Sequence, residues 1–313
     1  MSDLPKRTLG RTGLKVTTLG FGALELRGMV AGVGRPLSPG EPERILHAVL
    51  DAGINYIDVS ADYGEAESHI GRCIASRRQA FFLATKCGCP LDMSQFSPRE
   101  RTRYGVPLPR FHDYSRQNII AACHQSLRRM QTDYVDILQF HFSPAKAVLE
   151  QEDALATLQE LKQQGKIRFL GCSSMLPHLT DHIEMGVFDV LQIPYSALQP
   201  EHETAIAEAA KAGAGIVIRG GVARGEPGAG QGLADVWALW ERAHMDELLE
   251  GISATAFMLR FTITSSHTHT TIVGTLSPAH LHENVAAVLQ GSLPTDVYHE
   301  AKRRLRAARA TPA

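Results

Sequence analysis

Eight short apolar segments, connected mostly by amphipathic helical segments, constrain the fold of this 313-residue chain more than any other feature. They are centred near residues 17, 55, 83, 137, 169, 191, 217 and 272. Strands that alternate with helices are typical of parallel sheets, because a parallel connection needs a long crossover. Eight such units in a chain of this length predict an α/β fold, a closed (β/α)8 TIM barrel.

The main alternative, an open doubly wound sheet, would normally carry a glycine-rich phosphate-binding sequence after its first strand. Here that region reads GFGALELRG, in which Gly20 and Gly22 fit the first two glycines but Glu25 occupies the third position. The barrel is therefore favoured. Because α/β barrels routinely reach this size as one unit, we expect a single domain over residues 1–313.

Turns and loops complete the predicted architecture. The sequences LGRTG and TGLKV predict a small N-terminal β-hairpin over 7–15, followed by a first barrel strand from Val16 to Phe21. Irregular stretches at 23–40, 88–114 and 222–235 have no steady apolar period, and long loops in compact domains usually serve function. We expect long loops at the C-terminal face of the barrel, where they would form the walls of a pocket.

Composition limits the class of protein. The chain is 44% hydrophobic with a formal net charge of -1, so it suits a globular core and offers no electrostatic reason to bind nucleic acid or an anionic membrane. The N-terminus lacks the apolar run of a signal peptide, and no stretch reaches transmembrane length. Five scattered cysteines argue against a disulfide framework, which favours a cytoplasmic location. The oligomeric state stays open.

Four ionisable residues lie at or just after the ends of consecutive predicted strands. Asp58 ends the second strand and Tyr63 follows it, Lys86 ends the third strand, and His141 ends the fourth. Strand ends of a parallel barrel face one mouth, so these side chains should converge. A lysine beside a phenol should lower its pKa from about 10, and a carboxylate should keep the lysine charged. Each residue alone could be structural, but the set predicts an acid catalyst for adding hydride to a carbonyl, or for the reverse.

Cys87 and Cys89 flank Gly88 directly after the third strand and form a C-x-C pair. Such a C-x-C pair can bind metal, but no second pair stands at a suitable spacing. We therefore expect plain thiols near the mouth and no metal.

The chain resembles the aldo-keto reductases, a (β/α)8 family that uses NAD(P)H, over nearly its whole length. The resemblance is carried by LGRTGLKVTTLGFG, GINYIDVSADYGEAESHIG, ATK, LQFH, KIRFLGCSS and TIVGTLSPAHLHEN. It implies reduction of an aldehyde or ketone with Tyr63 as proton donor, and the catalytic set Asp58, Tyr63, Lys86 and His141. It implies that the cofactor is bound by Gly22, Asp58, Ser173, Ser174, Gln192, Arg219, Gly220, Gly221, Arg224, Gly225, Gly274, Thr275, His280, Glu283 and Asn284.

The chain departs from the family pattern in three respects, at four positions. Ser174 stands where the family often has asparagine, and Arg219 stands where an aromatic residue commonly stacks on the nicotinamide, a role a planar guanidinium can also fill. Gly274 and His280 occupy positions where lysine or arginine often meets the 2′-phosphate of the cofactor. The resemblance nevertheless favours NADP, as NADPH, over NAD.

Two other functions remain open. One is a cofactor-binding regulatory or sensor subunit of the same fold that turns over little. The other is a cofactor-free barrel lyase or isomerase. The stretch 226–232 is either a lid that closes over the cofactor or a plain connection.

Overall fold

The barrel predicted from the alternation is present and closed. The structure, a computed structural model, describes residues 3–30, 33–91, 112–227 and 232–310. The barrel strands are β1 (Leu19–Gly22), β2 (Tyr56–Asp58), β3 (Phe82–Cys87), β4 (Val135–Phe140), β5 (Ile167–Ser173), β6 (Val190–Pro194), β7 (Gly215–Arg219) and β8 (Thr270–Val273). Each strand pairs in parallel with the next, and β8 pairs with β1 to close the ring. All eight carboxyl ends therefore open on one face.

The predicted hairpin closes the opposite end of the barrel. Its strands, Lys6–Thr8 and Lys15–Thr17, pair in antiparallel fashion. Leu9, Leu14 and Val16 are buried against a layer of inward-pointing strand residues that includes Tyr56. The hairpin therefore excludes water from the amino-terminal end of the barrel.

The prediction of one strand from Val16 to Phe21 is wrong. Thr17 belongs to the hairpin, and the barrel strand begins at Leu19. Asn55 produces the break, because its Oδ1 accepts a hydrogen bond from Thr17 N at 2.7 Å, while Thr17 Oγ1 donates to Leu19 O at 2.7 Å. A long-range side-chain contact of this kind is invisible in a local apolar pattern.

Helices cover the outside of the barrel. In the described residues they are α1 (Glu41–Asp51), α2 (Ala66–Ile74), α3 (Arg116–Met130), α4 (Lys146–Gln151), α5 (Ala154–Gln163), α6 (His178–Met185), α7 (Glu203–Lys211), α8 (Ala234–Arg242), α9 (Ala254–Thr264), α10 (Pro278–Leu289) and α11 (Thr295–Ala310). Their apolar faces are buried, as in α1, where Ile45, Leu46 and Val49 are fully enclosed. None of the described helices is long and apolar enough to cross a membrane.

Local structure differs from the predicted pattern in the loops. The stretch 23–40 contains a 3-10 turn, Ala23–Arg27, and a short antiparallel pair, Met29–Val30 with Val33–Gly34. The helix α4 was not predicted, because its six residues are too short to display a helical period. Most of the predicted excursion 88–114 and the centre of the predicted lid 226–232 lie outside the described residues.

Candidate active site

A buried ion pair joins the carboxyl ends of β2 and β3. Lys86 Nζ donates to Asp58 Oδ1 at 2.6 Å and to Val59 O at 2.8 Å. The two charged side chains are 1% and 2% exposed. Burial lowers the pKa of Lys86, but Asp58 and Tyr63 raise it by more, so the lysine stays charged near neutral pH. The structure thus brings together the lysine and carboxylate that were predicted from the strand ends.

Two amides complete the hydrogen bonding of Asp58. Its Oδ2 accepts from Gln139 Nε2 at 3.0 Å and from Gln192 Nε2 at 2.7 Å. Gln139 lies on β4 and Gln192 on β6, so the carboxylate is held across the interior of the barrel. Gln192 belongs to the cofactor-binding set predicted from the sequence and Gln139 does not, although a polar residue inside the apolar segment VDILQF was a usable signal.

Tyr63 lies beside this pair at the mouth of the barrel. Lys86 Nζ is 5.0 Å from the centroid of the phenol ring. The expectation of a lowered pKa is not met, because the net effect raises the pKa of Tyr63 to about 12. Burial raises this pKa most; Lys86 and Arg219 lower it, while Asp58 and Asp62 raise it. The phenol is therefore protonated near neutral pH.

His141 stands next to Tyr63, with the two rings edge-on and their centroids 6.2 Å apart. Its Nδ1 is 3.0 Å from Cys89 Sγ, 3.5 Å from Ser60 Oγ and 3.5 Å from Asp62 Oδ1. Burial lowers the pKa of His141 and Asp62 raises it by less, so the imidazole is neutral near pH 7. One nitrogen of a neutral imidazole carries a proton and can donate to a carbonyl oxygen. Neither Asp62 nor the contact between Cys89 and this histidine was predicted from the sequence.

A cavity of about 940 Å³ opens beside these groups. This is the upper end of the size range of small-molecule and cofactor sites. The predicted site residues that line it are Gly22, Asp58, Tyr63, His141, Ser173, Gln192, Arg219, Gly220, Arg224, Gly225, Gly274, Thr275, His280, Glu283 and Asn284. The 3-10 turn after β1 and the chain that follows add Leu24, Arg27 and Arg35, none of which was singled out from the sequence. Lys86 is enclosed behind Asp58.

Two predicted cofactor residues are not brought to this cavity. The hydroxyl of Ser174 is fully buried and lies 2.7 Å from His182 Nδ1. Gly221 packs against the barrel, where an added Cβ would lie 2.5 Å from Thr271 Oγ1. In this structure the contacts of both residues are with the protein itself, and their predicted contact with the cofactor stays a prediction. Ser173 is the serine of this pair that reaches the cavity.

Arg219 ends β7 and lines the cavity. Burial lowers the pKa of Arg219, while Tyr63 and Asp58 raise it by less. Its Nη2 lies 3.9 Å from Met175 Sδ, and its Nε is buried with no hydrogen-bond partner among the described residues. A partly desolvated planar cation of this kind suits stacking on a flat ring.

The N-terminus of α10 borders the same cavity. Ser277 Oγ accepts from His280 N at 3.3 Å and caps the helix. An added Cβ at Gly274 would lie 2.7 Å from Gly22 O, so glycine allows the ends of β1 and β8 to approach closely. Unpaired N–H groups and the helix dipole favour an anion at this end. These residues fit the phosphate-bearing part of a dinucleotide.

Comparisons with known proteins agree with this geometry. A model of the Aldo/keto reductase family matches residues 18–225. L-galactose dehydrogenase of Arabidopsis thaliana is 27% identical over 93% of this chain and 90% of its own length. D-threo-aldose 1-dehydrogenase of a Pseudomonas species is 27% identical over 87% of this chain and 89% of its own. The holo form of the aldo-keto reductase AKR11C1 from Bacillus halodurans superposes with a TM-score of 0.79 at 27% identity, covering 96% of both chains.

The family match spans more than half of the chain and includes β1 to β7, with all four strand-end residues of the predicted catalytic set. The closed parallel barrel agrees with the architecture of the solved relative. Both curated relatives are named as dehydrogenases, which are oxidoreductases. On this evidence the chain belongs to the aldo/keto reductase family and is an oxidoreductase that works with a nicotinamide cofactor.

Proposed function

We propose that this protein reduces an aldehyde or ketone to the alcohol at the expense of NAD(P)H, in one domain spanning residues 1–313, with Tyr63 as proton donor. The observation that carries the proposal is the buried pair of Lys86 and Asp58 beside the phenol of Tyr63. A charged lysine enclosed at 1% exposure is costly to maintain. Its place next to a phenol that borders a large cavity supports a catalytic role for it.

The nicotinamide cofactor would supply the hydride. Tyr63 holds its proton at Oη near neutral pH, since the net effect of its surroundings raises the pKa to about 12. Lys86 then stabilises negative charge that develops on the phenol oxygen as the proton leaves. Asp58, held by two glutamine amides, keeps Lys86 charged and in place.

His141 orients the carbonyl group. Because its ring is neutral near pH 7, it donates one hydrogen bond without placing a positive charge beside the reacting carbon. Tyr63 and His141 border the same cavity and have ring centroids 6.2 Å apart. A carbonyl oxygen bound between them would meet two donors, which is the arrangement that general acid catalysis requires.

NADPH is the preferred cofactor in this proposal. His280 at the N-terminus of α10 and Arg35 in the wall of the cavity carry basic side chains, which are of the kind that bind a 2′-phosphate. Arg35 is also paired with Glu41. Parallel fluorescence titrations with NADPH and NADH test the preference. Equal or tighter binding of NADH would reverse this part of the proposal.

The decisive test of the reaction replaces Tyr63 with phenylalanine. We expect Tyr63→Phe to bind the cofactor but to lose about 100-fold or more of turnover in an aldehyde panel followed by nicotinamide absorbance. Tyr56→Phe is the matched control, because Tyr56 is fully buried below the mouth and its hydroxyl has no hydrogen-bond partner in the described structure. Undiminished turnover by Tyr63→Phe would refute the assignment.

The NADPH titration, combined with the turnover assay, distinguishes a reductase from the main alternative, a sensor subunit. Tight binding of NADPH by the native chain without multiple turnover on any carbonyl would support that function.

A cytoplasmic location is also part of our proposal, and it is supported by the five cysteines, all of which are free.

A further inference from the structure

A cluster of potential metal ligands lies beside the predicted catalytic histidine. The donor atoms of Cys89, His112 and His141 all lie within 4.8 Å of one another, which makes them the one such cluster found among the described residues. Cys89 Sγ is 3.0 Å from His141 Nδ1 and 3.7 Å from His112 Nε2. Cys89 is 2% and His141 4% exposed, so two of the three groups are removed from water.

The barrel holds this cluster in place. Cys89 follows β3 and His141 follows β4, two neighbouring parallel strands. The segment of His112 is tied to the same edge, because Asp113 N donates to Gly88 O at 2.8 Å. Asn118 Nδ2 also donates to Cys89 O at 3.2 Å. Residues far apart in sequence are therefore fixed together by backbone contacts.

A fourth group, the carboxylate of Asp62, borders the cluster. Its Oδ1 is 3.5 Å from His141 Nδ1, and it also interacts with the thiol of Cys89. The side chain is only 4% exposed, yet Oδ2 has no hydrogen-bond partner among the described residues. Buried carboxylate oxygens are normally satisfied, so an unpaired one on a side chain that contacts Cys89 and His141 indicates a missing ligand.

The distances match tetrahedral coordination. Typical zinc bonds of about 2.3 Å to sulfur and about 2.0–2.1 Å to nitrogen or oxygen place sulfur and nitrogen ligands about 3.6 Å apart, and nitrogen and oxygen ligands about 3.4 Å apart. The observed sulfur–nitrogen separations are 3.0 and 3.7 Å, and the oxygen–nitrogen separation is 3.5 Å. Asp62 lies outside the group of donors within 4.8 Å of one another and accepts from Ser60 Oγ, so its side chain would have to turn to reach the ion.

We propose that Cys89, His112 and His141 bind a zinc ion at the mouth of the barrel, and that the neighbouring carboxylate of Asp62 turns in as the fourth ligand. Zinc suits this set because a thiolate and two imidazoles are its usual ligands and because four-coordinate geometry is its preference. The expectation of no metal at the C-x-C pair holds for Cys87, in that its thiol is not in the cluster. The second and third ligands come instead from distant loops.

The site has a consequence for the reaction, and this step rests on the proposed function. An ion on Nδ1 of His141 confines the ring proton to Nε2 and leaves that nitrogen to donate to a carbonyl oxygen. Zinc would therefore fix the tautomer of His141, as a hydrogen-bond partner on one ring nitrogen does for other histidines. Cys89 and Asp62 would hold the ion and thereby help to fix the tautomer of His141.

The test titrates Co²⁺, as a spectroscopic substitute for zinc, into the metal-stripped full-length protein without an affinity tag. We expect one ion per chain, a thiolate-to-cobalt charge-transfer band, visible bands of tetrahedral cobalt, and displacement of the cobalt by Zn²⁺. Cys89→Ser and His112→Gln should each weaken binding by more than about 100-fold, which is the upper end of the cost of losing even an outer partner. Circular dichroism verifies that the variants are folded.

Matched controls use a cysteine and a histidine outside the cluster. Cys73→Ser and His47→Gln, on α2 and α1, should leave the cobalt spectrum and stoichiometry unchanged. Absence of the charge-transfer band in the native protein, or its persistence in folded Cys89→Ser, overturns the proposal. Tyr63→Phe should keep the band whether or not it loses turnover, so failure of the reductase assignment and failure of the metal site are distinguishable.

Discussion

Asp58→Asn is the substitution for which the structure yields the sharpest expectation. It keeps the size of the side chain but leaves Lys86, 1% exposed, without its counter-charge. Whichever way the new amide turns, its NH2 group meets a donor, because Lys86, Gln139 and Gln192 all donate to this carboxylate. Removing one partner of a buried ion pair costs about 3–5 kcal/mol in the free energy of unfolding. We expect Asp58→Asn to fall in that range and to lose turnover.

A double-mutant cycle assigns this cost to the pair. Lys86→Met removes the cation and keeps a long side chain, so it also leaves one buried charge uncompensated. The double variant contains neither charge and should be more stable than the sum of the single losses predicts, by about 2 kcal/mol or more. Urea unfolding followed by circular dichroism, with linear extrapolation, measures each free energy. Asp51→Asn is the control, because the pair of Asp51 and Arg77 is exposed and should cost no more than about 1 kcal/mol.

The pH dependence supplies a second check on the same pair. The pKa of Lys86 is raised above its usual 10.5, so the stability it contributes is fully present below pH 10.5 and is lost as the pH rises through the folded value. The contribution of Lys86 in the native chain should therefore stay flat from about pH 7 to 9, whereas in Asp58→Asn burial lowers the pKa of Lys86 without the carboxylate to raise it, so the stability deficit of the variant should shrink as the pH rises. In the double-mutant cycle, losses of Asp58→Asn and Lys86→Met that add to the loss of the double variant within about 0.5 kcal/mol would refute the account of a strongly coupled buried pair.

Three further outcomes test other parts of the site. Gly274→Ala should destabilise the chain by about 1–3 kcal/mol in urea unfolding and weaken cofactor binding, because the added Cβ would lie 2.7 Å from Gly22 O. Gly22→Ala is the control and should be tolerated, because its added Cβ would lie 3.7 Å from the nearest atom. Arg219→Met should weaken binding of the nicotinamide nucleotide by about 2- to 30-fold in a fluorescence titration, the range of a cation–π contact; an unchanged affinity would contradict stacking. Ser174→Ala should cost about 1 kcal/mol of stability through the lost contact with His182, and a large loss of nucleotide affinity would show that its hydroxyl reaches the cofactor after all.

Much of the fold and part of the site could be predicted from local pattern. The bounds of α3 and β4 agree with the apolar periods at 116–130 and 135–140, because a periodic segment of that length has few competing structures. The convergence of Asp58, Lys86 and His141 follows from a topological rule, since parallel strands end on one face. The resemblance to a known family, confirmed by the family model, then identified the class of reaction.

Other features could not be predicted because they depend on contacts between distant residues. Asn55 ends the hairpin at Thr17 through a side-chain hydrogen bond, so the strand pattern from Val16 to Phe21 misleads. Ser174 turns to His182, a neighbour that only the packed helix α6 supplies. A pattern of residue types does not determine which way a hydroxyl points.

The sequence by itself determined the eightfold alternation, the barrel and the strand-end acids and bases, because periodicity and strand order are local properties of the chain. Tertiary structure alone decided the electrostatics, because desolvation depends on everything packed around a group. Burial therefore outweighs Lys86 and raises the pKa of Tyr63 to about 12, against the expectation from charge alone. In the same way, tertiary packing brought Cys89, His112 and His141 within 4.8 Å, although 52 residues separate the first from the last.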